Sequence, residues 1–403
     1  MVHMNPLSSN GANAGSQPNN EGIVLVGGTV IAPEGTIRDG WVHVFDGVIR
    51  AIGKNEPPDA LQHDVRELGG AWIAPGFVDL HCHGGGGGSF LNGEHDQART
   101  AVQFHRRNGT TTILASLISS PHEHLLRAAR SLARYIDSDD TMVGLHIEGP
   151  YLSHVHCGAH DPRHLRPPSI GETRELIAAG QGTIRQMTIA PELPGALDVI
   201  DMLAEAGIVS AIGHTNATSE QTKTAIARGA RLATHLCNAM PSIHHRNGGP
   251  VVEIINDKSV FVELINDGVH IDPSVVRLLI KSIGIDRICM ITDAISAAGQ
   301  QNGRYRLDGR DIDVIDGTVR LATPEAPLAG SALTMRAAFA NSVSITGSVV
   351  AAARMCATTP AHLLQIRDRG ALVRNRRADM VVLNESFDVL EVWQAGERVV
   401  ASE

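Results

Sequence analysis

The chain has 403 residues, enough for one large α/β barrel or two to three ordinary domains. Hydrophobic residues make up 43% and charged residues 19%, a soluble globular composition, and an aromatic content of only 3% disfavours a carbohydrate-stacking or single-strand-binding surface. A formal net charge of −9 with no Lys/Arg run argues against a nucleic-acid partner, and no apolar run approaches the roughly 18 residues that a membrane span needs. Residues 1–20 are rich in Asn, Ser, Gly and Pro, lack the apolar core of a signal peptide, and are expected to be a disordered tail. From 21 to 73 the pattern is strand-like, over 22–26, 29–31, 41–45 and 48–52, with turn signals such as Asp46-Gly47 between the runs. Next comes the apolar run Ala74-Pro75-Gly76-Phe77-Val78-Asp79-Leu80, which ends in His81-Cys82-His83 and five glycines, 84–88. The segments that follow alternate. Strands are expected over 111–114, 143–147, 186–189, 209–212, 231–233, 260–264 and 288–291, and helices over 172–179, 196–206, 219–228 and 273–282. Such β-α alternation predicts a parallel sheet, most simply a (β/α)8 TIM-like barrel over 74–373. The stretch 304–321, with Asp308-Gly309 and Asp316-Gly317 turns, reads as a hairpin insertion. Strand-like runs return at 380–383, 390–393 and 397–400, so 374–403 is expected to join 21–73 in one small β-sandwich domain built from both ends.

On a strand, residues two apart point the same way, so His81 and His83 can converge on one point. By itself this pair could equally be two loop histidines. Several later strands also end in a polar residue: Glu148 after 143–147, His214 after 209–212, His235 after 231–233 and Asp293 after 288–291. In a barrel the C-terminal strand ends open into one mouth, where His81, His83, Glu148, His214, His235 and Asp293 are expected to meet. Four imidazoles and two carboxylates suit Zn²⁺, Mn²⁺ or Fe²⁺, and a shared carboxylate would make the centre binuclear. Five scattered cysteines do not form a disulfide framework, which favours a reducing, cytoplasmic setting.

The segment Pro75 to His83 resembles the signature of the amidohydrolase superfamily. Further segments resemble one family in it, the N-acetylglucosamine-6-phosphate deacetylases: Gly144 to Ser153, Gly158-Ala159-His160, Gly213-His214-Thr215, Thr234-His235-Leu236-Cys237-Asn238-Ala239-Met240-Pro241, Asp267-Gly268-Val269-His270, Thr292-Asp293-Ala294 and Leu328-Ala329-Gly330-Ser331. The resemblance runs from about Gly22 to the C-terminus. It implies hydrolysis of N-acetyl-D-glucosamine 6-phosphate to D-glucosamine 6-phosphate and acetate. Glu148, His214 and His235 would hold one divalent ion; His81 and His83, with Glu148 and Asp293, would hold a second. One or two ions per subunit fit this set, zinc first, with iron, manganese, cobalt or cadmium as alternatives. Asp293 would act as acid/base and His160 would orient the substrate carbonyl. Substrate contacts would come from Ala159, Asn238, Ala239, Arg246, His270, Leu328, Ala329 and Gly330, with Arg246 reaching the phosphate from the neighbouring subunit of a homodimer. The chain departs from the family at Arg246-Asn247-Gly248, where Glu-Pro-Gly usually follows the arginine, which loosens the loop and changes the field at the phosphate. Ser153 to His160 also carries His154, His156 and Cys157, which read as an incidental metal site, a redox-sensitive lid or a mobile loop. The rival readings are an amidohydrolase for another amide, such as a cyclic one, and a metal-free scaffold on the same barrel.

Overall fold

The computed structural model describes residues 22–58 and 64–401; the expected tail at 1–20 lies outside them. Five strands come first, β1 (Ile23–Ala32), β2 (Gly35–Phe45), β3 (Val48–Lys54), β4 (Val65–Glu67) and β5 (Trp72–Pro75). β6 (Phe77–Cys82) is followed by a glycine ribbon, β7 (Gly84–Gly85) with β8 (Gly88–Ser89). Helices and strands then alternate: α1 (His95–Arg107), β9 (Thr110–Ile118), α2 (His122–Ile136), β10 (Met142–Glu148), α3 (Ile170–Ala179), β11 (Ile184–Ile189), α4 (Ala196–Glu205) and β12 (Val209–Ile212). The alternation continues with α5 (Ser219–Ala227), β13 (Leu232–Ala233), α6 (Gly249–Asn256), β14 (Phe261–Ile265), α7 (Pro273–Ile283) and β15 (Ile288–Ile291). After β16 (Gly303–Leu307), β17 (Arg310–Ile315) and β18 (Thr318–Leu321) come α8 (Met335–Thr346), α9 (Val349–Ala353), α10 (Thr359–Leu363), β19 (Met380–Leu383), β20 (Val389–Gln394) and β21 (Glu397–Ala401).

β6 and β9 to β15 pair in sequence order as one eight-stranded parallel sheet. The sheet closes on itself: Cys82 bridges Ala294, and the Asp293 and His83 amides donate to the carbonyls of His81 and Ala294 at 2.8 and 2.7 Å. The expected (β/α)8 barrel is therefore present. Every residue of β6, β9 and β15 is buried, because side chains point either into the barrel or under its helices. That two-sided burial explains why these segments read as continuous apolar runs and not as alternation.

Strands from both ends form the second large sheet, in the order β21-β20-β19-β5-β1-β2-β3, with β4 also paired to β1. The C-terminal strands enter through β19, whose Leu383 faces Trp72 and whose Met380 faces Pro75. Leu25, Val30, Ile73, Met380 and Trp393 form the centre of its core. The runs 22–26 and 29–31 are one strand. Its register shifts between Leu25 and Gly28, and Gly27 at φ 70° takes up the irregularity without ending the strand.

The single hairpin expected at 304–321 is instead a three-stranded antiparallel meander, β16-β17-β18. Both Asp-Gly pairs turn with positive φ at each central residue (46° and 78°, 49° and 76°), so each makes a tight hairpin and the segment folds back twice. Leu307, Ile312, Val314 and Leu321 of the meander pack with Ile118 and Ile295 of the barrel, which sets it as a roof over the C-terminal strand ends.

Candidate metal centre

Each strand-end residue singled out in the sequence reaches the barrel mouth. His81 lies near the end of β6 with His83 just beyond it; Glu148 ends β10; His214, His235 and Asp293 each stand two residues past β12, β13 and β15. All six are buried. Glu148 is the focus. Its Oε1 lies 3.2 Å from His214 Nε2, 3.1 Å from His235 Nε2 and 3.6 Å from His81 Nε2, and its Oε2 lies 3.3 Å from His83 Nε2. Asp293 Oδ1 is 3.4 Å from His81 Nε2 and 3.3 Å from His83 Nε2.

The outer ring nitrogens decide what the inner ones present. His81 Nδ1 faces Glu263 Oε2 at 3.1 Å, His83 Nδ1 faces the Ser116 carbonyl at 3.2 Å, and His214 Nδ1 faces the His156 carbonyl at 2.9 Å. A carboxylate or carbonyl oxygen only accepts, so each neutral ring carries its hydrogen on Nδ1 and turns a bare lone pair inward. Lone pairs then face each other from His81 Nε2 to His83 Nε2 at 3.0 Å, and His214 Nε2 turns one toward His235 Nε2 at 3.1 Å, beside two carboxylates. Nitrogen and oxygen acceptors at that separation need a cation between them, and their identities fit a divalent metal. Protons answer only part of the demand. Burial alone would depress the His81 imidazole, but Glu148, Asp293 and Glu263 outweigh it and raise it well above the ordinary histidine value. Burial would likewise raise both inner carboxyls, yet the facing imidazoles, His81 first, hold Glu148 well below the usual range and Asp293 at about 2.

His160 differs from the other four. Its Nδ1 accepts from the Ser119 amide at 3.3 Å, so its Nε2 carries the hydrogen and donates to Glu148 Oε2 at 3.2 Å. Burial first, opposed by Glu148, takes the ring down to about 4, so it stays neutral near pH 7. Distance alone would group His160 with Glu148 and His214 as a metal trio. Its tautomer makes it a hydrogen-bond donor instead. The loop that holds it is clamped by Arg310 of the meander, whose Nη1 donates to the carbonyls of Ala159 and His160 at 2.9 and 3.1 Å.

Three candidate ligands occupy strained backbone: His214, His235 and Asp293 have φ of 47°, 28° and 50°. Left-handed conformations of this kind cost non-glycine residues about 1–3 kcal/mol each. They bend the chain immediately after a strand end, which aims the side chain across the mouth. On the other side the glycine ribbon leaves no room for side chains. A Cβ on Gly85 would lie 2.5 Å from the Phe104 ring and 2.6 Å from His105 Nε2.

Residue types alone did not reveal the support around this cluster. Glu263, in the middle of β14, accepts from His81 Nδ1 and the His235 amide through Oε2, at 3.1 and 3.2 Å, and from Gln186 Nε2 through Oε1 at 2.7 Å. A charged residue inside Val260-Phe261-Val262-Glu263-Leu264-Ile265 was the available signal. His146 lies under His81 with ring centroids 4.4 Å apart, held by Ser116 and Thr188.

A cavity of about 360 Å³ opens onto Glu148, His160, His214, His235 and Asp293. Of the expected substrate contacts, Ala159, Asn238, Ala239, His270, Leu328 and Gly330 line it. Ala329 does not: it is fully buried among the meander's apolar side chains, with its amide donating to the Val319 carbonyl. Arg246 does not either. It is exposed on a turn closed by His244 and Asn247, with Nη1 2.8 Å from His245 Nε2. His154 is exposed, and His156 lines the cavity with Nε2 3.2 Å from Asn216 Oδ1.

The amidohydrolase family model matches residues 72–399. Among curated proteins, the N-acetylgalactosamine-6-phosphate deacetylase of Escherichia coli O157:H7 is 33% identical over 379 residues, covering 93% of this chain and 98% of the relative. The N-acetylglucosamine-6-phosphate deacetylase of Lysinibacillus sphaericus is 31% identical, covering 91% and 95%. Among solved structures, a variant of the N-acetyl-D-glucosamine-6-phosphate deacetylase of Mycobacterium smegmatis in complex with N-acetyl-D-glucosamine-6-phosphate superposes with a TM-score of 0.91. It is 41% identical and covers 94% of this chain and 100% of that one.

Glu263→Gln sets an amide NH2 against one of three donors that now meet a carboxylate. Divalent-ion affinity, read by competition with a chromophoric chelator, is expected to fall by about 10- to 100-fold. Unchanged affinity would mean that Glu263 does not orient His81.

Proposed function

The chain belongs to the amidohydrolase family, and on that premise we propose that it removes the acetyl group from N-acetyl-D-glucosamine 6-phosphate, giving D-glucosamine 6-phosphate and acetate. The observation that carries the reading is the set of inward lone pairs around Glu148 at the floor of a cavity sized for a small ligand, in a chain whose relatives are deacetylases of 6-phosphorylated amino sugars.

Glu148, His214 and His235 would hold one divalent cation, and His81 and His83, with Glu148 and Asp293, a second; zinc suits this nitrogen and oxygen set best. When bound, such a cation lowers the pKa of a neighbouring water from about 15.7 to roughly 7 and polarises a carbonyl. The remaining work falls to side chains of this chain. Asp293, held as a carboxylate by its facing imidazoles, takes the proton from the attacking water and passes it to the departing amine. The Nε2–H of His160 is free to turn from Glu148 to the acetyl oxygen, where it stabilises the developing oxyanion. His270, with Nδ1 2.7 Å from Asp267 Oδ2, is fixed at the cavity wall to contact the sugar phosphate.

Arg246 would complete phosphate binding from the neighbouring subunit. Its position outside its own cavity supports that arrangement, as does the apolar exposure around it and on α7, with Ile243 57% and Leu278 61% exposed. Two copies related by a two-fold axis would then exchange arginines. All five cysteines are unpaired, which supports a reducing, cytoplasmic setting. Among the described residues no helix is long and apolar enough to cross a membrane.

A second reading concerns the sugar: the galactosamine relative is the C4 epimer's enzyme, and its 33% identity favours testing both epimers. Acetate release from the two 6-phosphorylated sugars and from unphosphorylated N-acetylglucosamine tests the assignment. The gluco 6-phosphate is expected to have the highest kcat/KM. Equal values with and without phosphate would sink the phosphosugar reading, and a higher value for the galacto epimer would reassign the substrate. Asp293→Asn is expected to retain substrate binding while turnover drops by at least about 10²- to 10⁴-fold. Near-parental turnover in that variant would remove Asp293 as the acid/base.

A further inference from the structure

A second cleft, of about 750 Å³, lies at the other end of the barrel and shares no wall with the catalytic cavity. Its floor is made by the entry ends of three barrel strands: Val209 opens β12, Arg231 precedes β13 and Phe261 opens β14. The segment from α10 to Arg367 forms the facing wall.

Two properties set this cleft apart. The first is unneutralised positive charge. Arg231, Arg367 and Arg376 line it together with His362. Arg231 Nη1 donates to the carbonyls of Ile226 and Ala230 at 2.9 and 2.8 Å, and Arg376 Nη1 donates to the Arg369 carbonyl at 3.0 Å. Those bonds hold two guanidiniums in place without cancelling their charge. Arg367 has no hydrogen-bonded or ion-paired partner among the described residues. Carboxylates neutralise several arginines elsewhere: Arg166 pairs with Glu172, Arg228 with Asp201, Arg304 with Asp313 and Arg377 with Asp379. Asp257 is the carboxylate that senses Arg231, but it is held low first by the Ser259 hydroxyl and amide, and it does not pair with Arg231. In a chain of net charge −9, three arginines sharing a cleft without a carboxylate make a local anion trap.

The second property is an apolar, partly aromatic lining. The rings of Phe261 and His362 lie 5.9 Å apart, and Ile208 and Ile366 extend the surface. The cleft is far larger than an inorganic phosphate and falls within the range of small-molecule sites. We propose that it binds a nucleotide-class ligand, with phosphates on the three guanidiniums and a flat apolar body against Phe261, His362 and Ile366. β13 lies between Arg231 and His235, and β14 carries both Phe261 and Glu263, so the occupant would sit at the far end of strands that support the metal cluster.

Calorimetric titration of the full-length chain with ADP and with inorganic phosphate tests the proposal. Saturable ADP binding is expected, at least tenfold tighter than phosphate. It is expected to weaken at least tenfold in Arg367→Glu, while that variant keeps the parent's kcat and KM for acetate release. His362→Ala provides an uncharged check, with ADP weakened and phosphate unchanged. No saturable ADP binding, or parental ADP affinity in both variants, would overturn the proposal. Phosphate binding as tight as ADP would overturn the nucleotide class. Loss of ADP binding in Arg246→Ala but not in Arg367→Glu would place ADP in the catalytic cavity and overturn the separate site, and none of these outcomes bears on the deacetylase reading.

Discussion

Five imidazole nitrogens lie within 3.6 Å of one buried carboxylate, that of Glu148, and the construction of the barrel mouth follows from accommodating it. An unpaired buried carboxylate costs several kcal/mol even after relaxation, on the order set by ion desolvation. Here three of the five nitrogens, those of His81, His83 and His214, offer lone pairs, because a carboxylate or a carbonyl claims the hydrogen on the far side of each ring. Glu263 and Asp293 add further negative charge inside the same wall. Protonating the rings would relieve the carboxylates and at once create imidazolium pairs about 3 Å apart. A divalent cation between them relieves both problems, and it does so for the histidine pairs on either side of Glu148.

Barrel closure and site assembly are the same event. The seam between β6 and β15 is zipped by the Asp293 amide on the His81 carbonyl and by Thr292 Oγ1 on Asp79 Oδ2 at 2.6 Å. His81, His83 and Asp293 stand on the two strands that meet there, so the ring cannot close without bringing one candidate ligand set together. Burial raises the Asp79 carboxyl to about 6, against the hydrogen bonds from Thr292 and the His81 amide that keep it engaged in the seam. The strained backbone at His214, His235 and Asp293 is tolerated because each residue is held from both sides, by strand pairing below and by the facing ligands above.

Much of this was legible in the sequence, for identifiable reasons. The six polar residues at strand ends could be read because buried parallel strands are apolar throughout, so a terminal His, Glu or Asp stands out against them. The expected barrel and the sheet built from both chain ends were legible from strand and helix periodicity. Glu263 does not stand at a strand end, so the terminal pattern does not mark it, although a charge in the middle of an apolar strand is the stronger anomaly. Both Asp-Gly turns of the meander are visible in the sequence, but the pattern does not say that each makes its own hairpin. The inward turn of Ala329 was beyond reach, since a motif of three small residues does not say which of them the roof will bury. Which nitrogen of His160 carries the hydrogen depends on a backbone amide at Ser119, distant in sequence, and no local pattern encodes it.

The lone pairs around Glu148 are arranged for a cation. Anomalous diffraction from crystals of the chain grown with zinc, recorded on both sides of the zinc absorption edge, tests it most directly. A peak is expected within bonding distance of Glu148, His214 and His235, and a second beside His81, His83 and Asp293 when both positions fill. Crystals with ordered side chains at these six residues and no peak beside Glu148 would contradict it.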